Sequence, residues 1–221
     1  MITVHHLNNS RSQRLLWLLE ELGVDYEVKR YERDKATMLA PVSLKAVHPL
    51  GKSPVITDGD VTVAESGAIN EYLLDRYGQG RLRPAPGTPE FLRYTYWNHY
   101  AEGSLMPLLV MKLILSKVPE RAPFLVRPIA KAIVNGVGSS FLEPNLATHL
   151  AFIDAELAKS AWLAGEELSG ADVMMSFPLE AVLARAGGDR FPRIAAYVRK
   201  IEARPAYKRA LERGGPFALL K

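Results

Sequence analysis

The stretch HPLGKSPVITDGDVTVAESGAI, residues 48–69, decides how the first third of the chain is built. Gly51-Lys52-Ser53 looks like the end of a phosphate-binding loop, whose backbone N–H groups cradle phosphate and which needs another glycine five residues before Gly51. That position is Ala46, and Pro54 follows where such a loop has to open a helix. Val55-Ile56-Thr57 and Val61-Thr62-Val63 are instead β-prone triplets on either side of Asp58-Gly59-Asp60, the composition of a tight hairpin turn. The segment therefore reads as strand, turn, strand, with Ser66 as the cap of a helix running to about Tyr77 and stopped by Gly78. Lys52-Ser53-Pro54 at its entry and Glu65-Ser66 at its exit are more than a hairpin requires.

Working outward, residues 2–7 (ITVHHL) are β-prone, and SQRLLWLLEELG from Ser12 has apolar residues at helical spacing with Gly23 as its stop. Tyr26 to Tyr31 reads as a second strand and Pro41 to Val47 as a short helix, so the first two strands should pair in parallel across a helical crossover. The order over residues 1–80 is β-α-β-α-β-β-α. Residues 78–89, GQGRLRPAPGTP, have the Gly and Pro content of a linker. Beyond it only helical periodicity is found, over about 90–116, 128–159, 172–186, 192–203 and 205–212, with Pro107 and Pro144 expected to kink or divide the first two.

The composition sets the class. Of 221 residues 48% are hydrophobic and 24% charged, the balance of a globular protein with a packed core. With no cysteine there can be no disulfide, no thiolate metal site and no enzyme thiol, which fits a reducing compartment. The N-terminus lacks a signal-peptide pattern and no apolar run reaches the length of a membrane span, so a cytoplasmic protein is expected. The net charge of +4 is placed in the second part, since residues 1–80 hold 9 Lys/Arg against 11 Asp/Glu. No basic cluster interleaved with aromatics accompanies it, which argues against nucleic acid. His5 and His6 lack a third ligand at metal spacing and are read as structural, so no metal is expected. Residues 112–131, KLILSKVPERAPFLVRPIAK, mix five bases with apolar residues; three prolines break any continuous amphipathic helix, which favours a solvated or dimer-associated segment over a membrane-surface one.

Four features in order, Asn8-Asn9-Ser10-Arg11-Ser12, His48 to Pro54, Glu65-Ser66 and Leu168-Ser169-Gly170-Ala171-Asp172, resemble the cytosolic glutathione transferases over nearly the whole chain. HHLNNSRSQRLLWLLEELG and ERDKATMLAPVSLKAVHPLGKSPV are most similar to the bacterial and fungal subgroup related to the membrane-associated yeast enzyme. The resemblance implies a thioredoxin-like, glutathione-binding domain over 1–80 and an all-helical bundle over 89–221 that holds the electrophile. It implies a homodimer that conjugates the glutathione thiolate to small apolar electrophiles, with reduction of organic hydroperoxides as a further activity. Glutathione is then the co-substrate. A non-catalytic glutathione-binding protein and a glutathione-dependent isomerase or dehalogenase are the competing readings, since fold alone does not fix function.

Site roles follow from the same resemblance. Pro54 is expected to be cis, so that the Ser53 backbone meets the cysteinyl backbone of glutathione. Glu65 holds the γ-glutamyl ammonium and Ser66, at a helix N-terminus, its carboxylate. No base stands at residues 39–43, and Lys52 is the nearest group for the glycine carboxylate. Ser10 is the candidate hydrogen-bond donor to the sulfur, a donor and not a nucleophile; Asn9, Ser12 or a tyrosine are the alternatives. Tyr96, Tyr100 and Gly103 share a helical face with Pro107 that either borders the electrophile pocket or packs in the core. Ser169 and Asp172 form a capping box with no chemistry of their own.

Overall fold

Alternation in the first strand turns Ile2 and Val4 to one face, and both are buried. This strand, β1 (Ile2–Leu7), lies inside a four-stranded sheet of order β2-β1-β3-β4 in the computed structural model, which describes residues 1–186, 190–215 and 217. β2 (Tyr26–Tyr31) runs parallel to β1, with Ile2 opposite Tyr26 and Leu7 opposite Tyr31. The crossover between them is α1 (Ser12–Leu22), ended by Gly23 in the left-handed conformation at φ 65°. The quoted hairpin forms as expected: β3 (Val55–Asp58) pairs antiparallel with both β1 and β4 (Val61–Ala64), and Val4 faces Ile56.

Two local expectations are corrected. The helix expected over 41–47 is only α2 (Val42–Lys45), because His48 precedes Pro49 and the residue before proline avoids helical backbone. The helix after the hairpin, α3 (Ser66–Tyr77), has Ser66 as its first helical residue; the cap position belongs to Glu65, with no side-chain cap bond.

Every described element after the linker is helical: α4 (Pro89–Tyr100), α5 (Met106–Arg121), α6 (Arg127–Val137), α7 (Glu143–Glu156), α8 (Gly170–Ala186), α9 (Pro192–Glu202) and α10 (Pro205–Gly214). Pro107 and Pro144 divide the chain by one device. Each is the second residue of a helix, and a π-helical turn precedes that helix, Ala101–Leu105 before α5 and Gly138–Leu142 before α7. A helical proline has no N–H to give and its ring strikes the carbonyl four residues back; widening the turn moves that carbonyl away. α5 continues past Pro119 to Arg121, beyond the end expected near 116. α6 has no buried residue, and Phe124 and Leu125 before it are 81% and 86% exposed, so the basic apolar segment is uncovered. Among the described residues no helix is long and apolar enough to cross a membrane.

α8 joins the two halves. Its first residue, Gly170, sits against α3 so closely that a Cβ would stand 2.7 Å from Asn70 Oδ1 and 2.8 Å from Leu74 Cδ1. Asp172 is fully buried and accepts from the Ser169 N–H (2.8 Å) and hydroxyl (2.8 Å), the Leu163 N–H (2.9 Å) and the Tyr197 hydroxyl (2.6 Å). The expected box is thus one-sided: the aspartate accepts everything, and the serine hydroxyl donates to it.

Further along α8, buried Glu180 accepts from the Tyr207 hydroxyl (2.7 Å), and burial pushes its carboxyl up to about 8. A carboxyl raised in the folded state binds its proton more tightly there than in the unfolded chain. Its contribution to stability is therefore complete at acid pH and declines as pH rises from about 4.5 through about 8. Glu180→Gln keeps an acceptor for Tyr207 without the charge. Urea unfolding at pH 5 and pH 9 should show the variant losing less stability across that interval than the wild type.

Candidate functional site

The loop between β1 and α1 and the entry to β3 meet at three hydroxyls. Ser10, 4% exposed, has its Oγ 2.7 Å from Ser12 Oγ and 3.2 Å from Ser53 Oγ, and it accepts the Ser12 N–H at 3.3 Å. Two segments 43 residues apart are thereby brought together. The Ser53-Pro54 bond is cis. The Ser53 hydroxyl faces inward, donating to the His5 carbonyl (3.2 Å) and accepting from the Leu7 N–H (3.4 Å). Asn9 is exposed, at φ 49°, in the same loop as Ser10.

Both histidines of β1 are buried. His5 lies 2.9 Å from the Tyr31 hydroxyl through Nδ1 and 3.2 Å from Thr57 Oγ1 through Nε2. His6 Nδ1 lies 2.8 Å from Ser12 Oγ. Burial, and next the Arg30 charge, hold the His6 ring down at about 4, so it is neutral at pH 7. Among the described residues no group of three or more His, Cys, Asp or Glu is placed to hold a metal.

At the exit of the hairpin Glu65 is exposed, with φ 73° and ψ 128°, a backbone region that side-chain-bearing residues seldom occupy. Ser66 follows, 3% exposed at the first turn of α3, where the helix dipole is positive. Lys52 is exposed on the other side of Ser53. Gly51, at φ 56°, stands on the stem of Lys45, whose Cγ is 2.6 Å from where a Cβ would be. Sequence reading missed Lys45 because it looked for bases at 39–43.

A second missed residue is Glu102, in the π-helical turn before α5. Arg11 donates to Glu102 Oε2 at 2.8 Å, and Arg14 donates to Oε1 of the same carboxylate and to the Met174 carbonyl at 2.6 Å. The Arg14 side chain is 1% exposed. Tyr96 and Tyr100 pack with Trp97 and with Phe152 of α7, the Tyr100 hydroxyl meets His149 Nδ1, and Gly103 is exposed. A cavity of about 430 Å³ lies elsewhere in the helical half, among Leu109, Leu146, Leu150, Val182 and Phe191.

Glu102 is the carboxylate that faces the buried Arg14 charge. Glu102→Ala should destabilise the protein by about 3 kcal/mol in urea unfolding, more than a surface ion pair is worth, because it strands that charge in the interior.

This architecture agrees with comparison to known proteins. Residues 1–75 match the family described as "Glutathione S-transferase, N-terminal domain", and residues 141–205 match "Glutathione S-transferase, C-terminal domain". Glutathione S-transferase 3 of Schizosaccharomyces pombe is 37% identical over 214 residues, covering 96% of this chain and 88% of that protein. Glutathione S-transferase 1 of Saccharomyces cerevisiae is 33% identical, covering 96% of this chain and 95% of that protein. A crystal structure of a glutathione S-transferase from Actinobacillus pleuropneumoniae superposes with a TM-score of 0.81 at 36% identity, over 99% of this chain and 95% of that one. The two domain matches in order, and relatives above 30% identity along nearly the whole length, establish that the chain belongs to the glutathione S-transferase family.

Proposed function

We propose that this protein conjugates the glutathione thiolate to small apolar electrophiles, with the Ser10 hydroxyl donating the hydrogen bond that favours the thiolate. The observation that carries this reading is the 3.2 Å approach of Ser10 Oγ to Ser53 Oγ, beside the cis Ser53-Pro54 bond. The Ser53 backbone would pair with the cysteinyl residue of glutathione as an added strand does, and that places the cysteinyl sulfur beside Ser10. Glu65 takes the γ-glutamyl ammonium, and Ser66 its carboxylate, with its N–H and hydroxyl at the start of α3. Lys52, with Lys45 beside it, takes the glycine carboxylate.

The chemistry is then a matter of the thiol alone. The enzyme has no cysteine, so it forms no mixed disulfide of its own. Glutathione sulfur supplies the nucleophile, the substrate supplies the leaving group or the acceptor double bond, and the protein's task is to keep the sulfur ionised near neutral pH. An organic hydroperoxide is a further substrate for the same thiolate. The electrophile is assigned to the side of the sulfur that faces the π-helical turn, where nothing lies within 4 Å of a Cβ built on Gly103. Exposed Tyr96 would supply apolar surface there, with Tyr100 packed behind it. The protein works as a cytoplasmic homodimer in this reading, and light scattering at micromolar concentration should return twice the 24.5 kDa chain mass.

A hydrogen bond to a charged group is worth about 1.5–3 kcal/mol and one pKa unit about 1.4 kcal/mol, so Ser10→Ala should raise the pKa of bound glutathione by roughly one to two units. Affinity should hardly change, because Ser53, Glu65 and Ser66 grip the peptide part. Thiolate absorbance, titrated in the complexes of wild type, Ser10→Ala and Asn9→Ala, reads this directly. A shift in Asn9→Ala alone transfers the donor role to Asn9. Titrations unmoved in both variants favour a protein that binds glutathione without activating it. Glu65→Gln and Ser66→Ala should weaken glutathione binding without moving the thiol pKa.

A further inference from the structure

The three serine hydroxyls do not stand alone: they form one chain with a histidine at its head, and the chain has a direction. Each hydroxyl owns a single proton. At the far end Ser53 spends its proton on the His5 backbone carbonyl, a group that only accepts. The 3.2 Å contact between Ser10 and Ser53 therefore has Ser10 as its donor. The proton of Ser10 being spent there, the 2.7 Å contact between Ser10 and Ser12 has Ser12 as its donor. The 2.8 Å contact of Ser12 with His6 then leaves one assignment, in which His6 Nδ1–H donates.

We propose that His6 is a positioning residue for the glutathione thiol: its Nδ1–H donates into Ser12, Ser12 donates into Ser10, and Ser10 is left with only a proton to give. The inference rests on Ser10 as the donor to sulfur, and it explains what a hydroxyl alone does not. A serine hydroxyl free to rotate can also accept from a neutral S–H, a weaker bond than the one it donates to a thiolate but one that lessens its preference for the ion. Here both acceptor positions of Ser10 Oγ are filled from the protein side, by the Ser12 hydroxyl at 2.7 Å and the Ser12 N–H at 3.3 Å. A neutral thiol finds no lone pair to bind, whereas a thiolate receives the one proton, swung from Ser53 to the sulfur. Donors in series also polarise one another, which strengthens the last bond.

The ring is fit for the part. It is buried beneath the start of α1, and held neutral it has one N–H to place. The cation that bears on it is Arg30 of β2. The opposite tautomer, with a bare Nδ1, would take the Ser12 proton and turn the whole chain toward the histidine, so that Ser10 donated inward and away from the ligand.

Nitrogen-15 spectra of the imidazole in the full-length protein at pH 7 read the tautomer: Nδ1 protonated and Nε2 bare is the expected result, and the reverse overturns the proposal. Thiolate titration with glutathione reads the consequence. Ser12→Ala should raise the bound thiol pKa by roughly a third of the rise in Ser10→Ala, and should add nothing in the Ser10→Ala background. An equal rise in both backgrounds overturns the chain. His6→Leu should reproduce Ser12→Ala, while His6→Asn, whose amide N–H stands near the place of Nδ1, should titrate as wild type. A merely structural histidine would move stability in these variants and leave the titration alone. Should His6→Leu fail to fold, the Ser12 cycle and the ring tautomer decide. A bare Nδ1 with Ser10→Ala still raising the pKa overturns the His6 chain alone; a titration unmoved by Ser10→Ala overturns the Ser10 assignment, and this role with it.

Discussion

Helix α1 is covered on every side, and the architecture of the site follows from that. Ser12 through Leu19 are all buried, since the sheet lies against one face and α8 and α10 against the others. A surface helix can turn its polar residues to water; this one cannot, and an unpaired buried polar group costs as much as a lost hydrogen bond or more. Ser12 therefore bonds back to His6 and forward to Ser10, and Arg14 reaches Glu102 and the Met174 carbonyl. The same bonds that make α1 tolerable in the interior fix the hydroxyls at its N-terminus. Packing and site are one constraint seen from two ends.

Magnitudes rank what would act on a sulfur bound at the proposed site. A helix N-terminus contributes about 0.3–1 kcal/mol toward an anion, and up to about 2 kcal/mol when partly buried. The nearby guanidinium groups of Arg11 and Arg14 share the Glu102 carboxylate, which offsets much of their field. A donated hydrogen bond to a charged acceptor is worth about 1.5–3 kcal/mol and depends on geometry rather than on distant charge. If Ser10 is the donor to sulfur, as proposed, its hydroxyl is the larger contributor, and its orientation matters more than the net charge around it.

Much of this was legible in the sequence, and the omissions share a cause. The βαβ crossover, the hairpin and the cis Ser53-Pro54 bond are local patterns, written in neighbouring residues, and they form as read, while at the hairpin exit the cap falls on Glu65 and not on Ser66. Glu102 was invisible because the π-helical turn around it changes the helical count. A turn bonded i to i+5 takes more residues than 3.6, so a face drawn by threes and fours through Tyr96, Tyr100, Gly103 and Pro107 breaks at Ala101. Tyr96 and Tyr100 stay on the α7 side while Glu102 swings to Arg11 and Arg14. The contact of His6 with Ser12 joins a strand to the helix after it, which no spacing rule encodes. Ser66 misled at a helix boundary, where it stands as the first helical residue and Glu65 takes the cap position.

The exit of the hairpin shows how such a site is kept ready without its ligand. Glu65 holds a backbone conformation that costs on the order of 1–3 kcal/mol and persists only where its surroundings over-determine it. Those surroundings are visible. Ile69 and Leu73 bury the inner face of α3, and its N-terminal turn is tied by the Ile69 N–H to the Glu65 carbonyl at 2.9 Å. At the other end, Asp58 of β3 accepts from Tyr72 at 2.8 Å and from Tyr77, which clamps the last turns of α3 to the hairpin. With both sides of the connection fixed, Glu65 has to make the turn, and the backbone that carries it and the Ser66 N–H is set in place by the fold itself. The cost is borne once, by folding. On the proposed reading, glutathione would spend little of its binding energy on ordering these groups, which would leave more of it for holding the sulfur where Ser10 can reach.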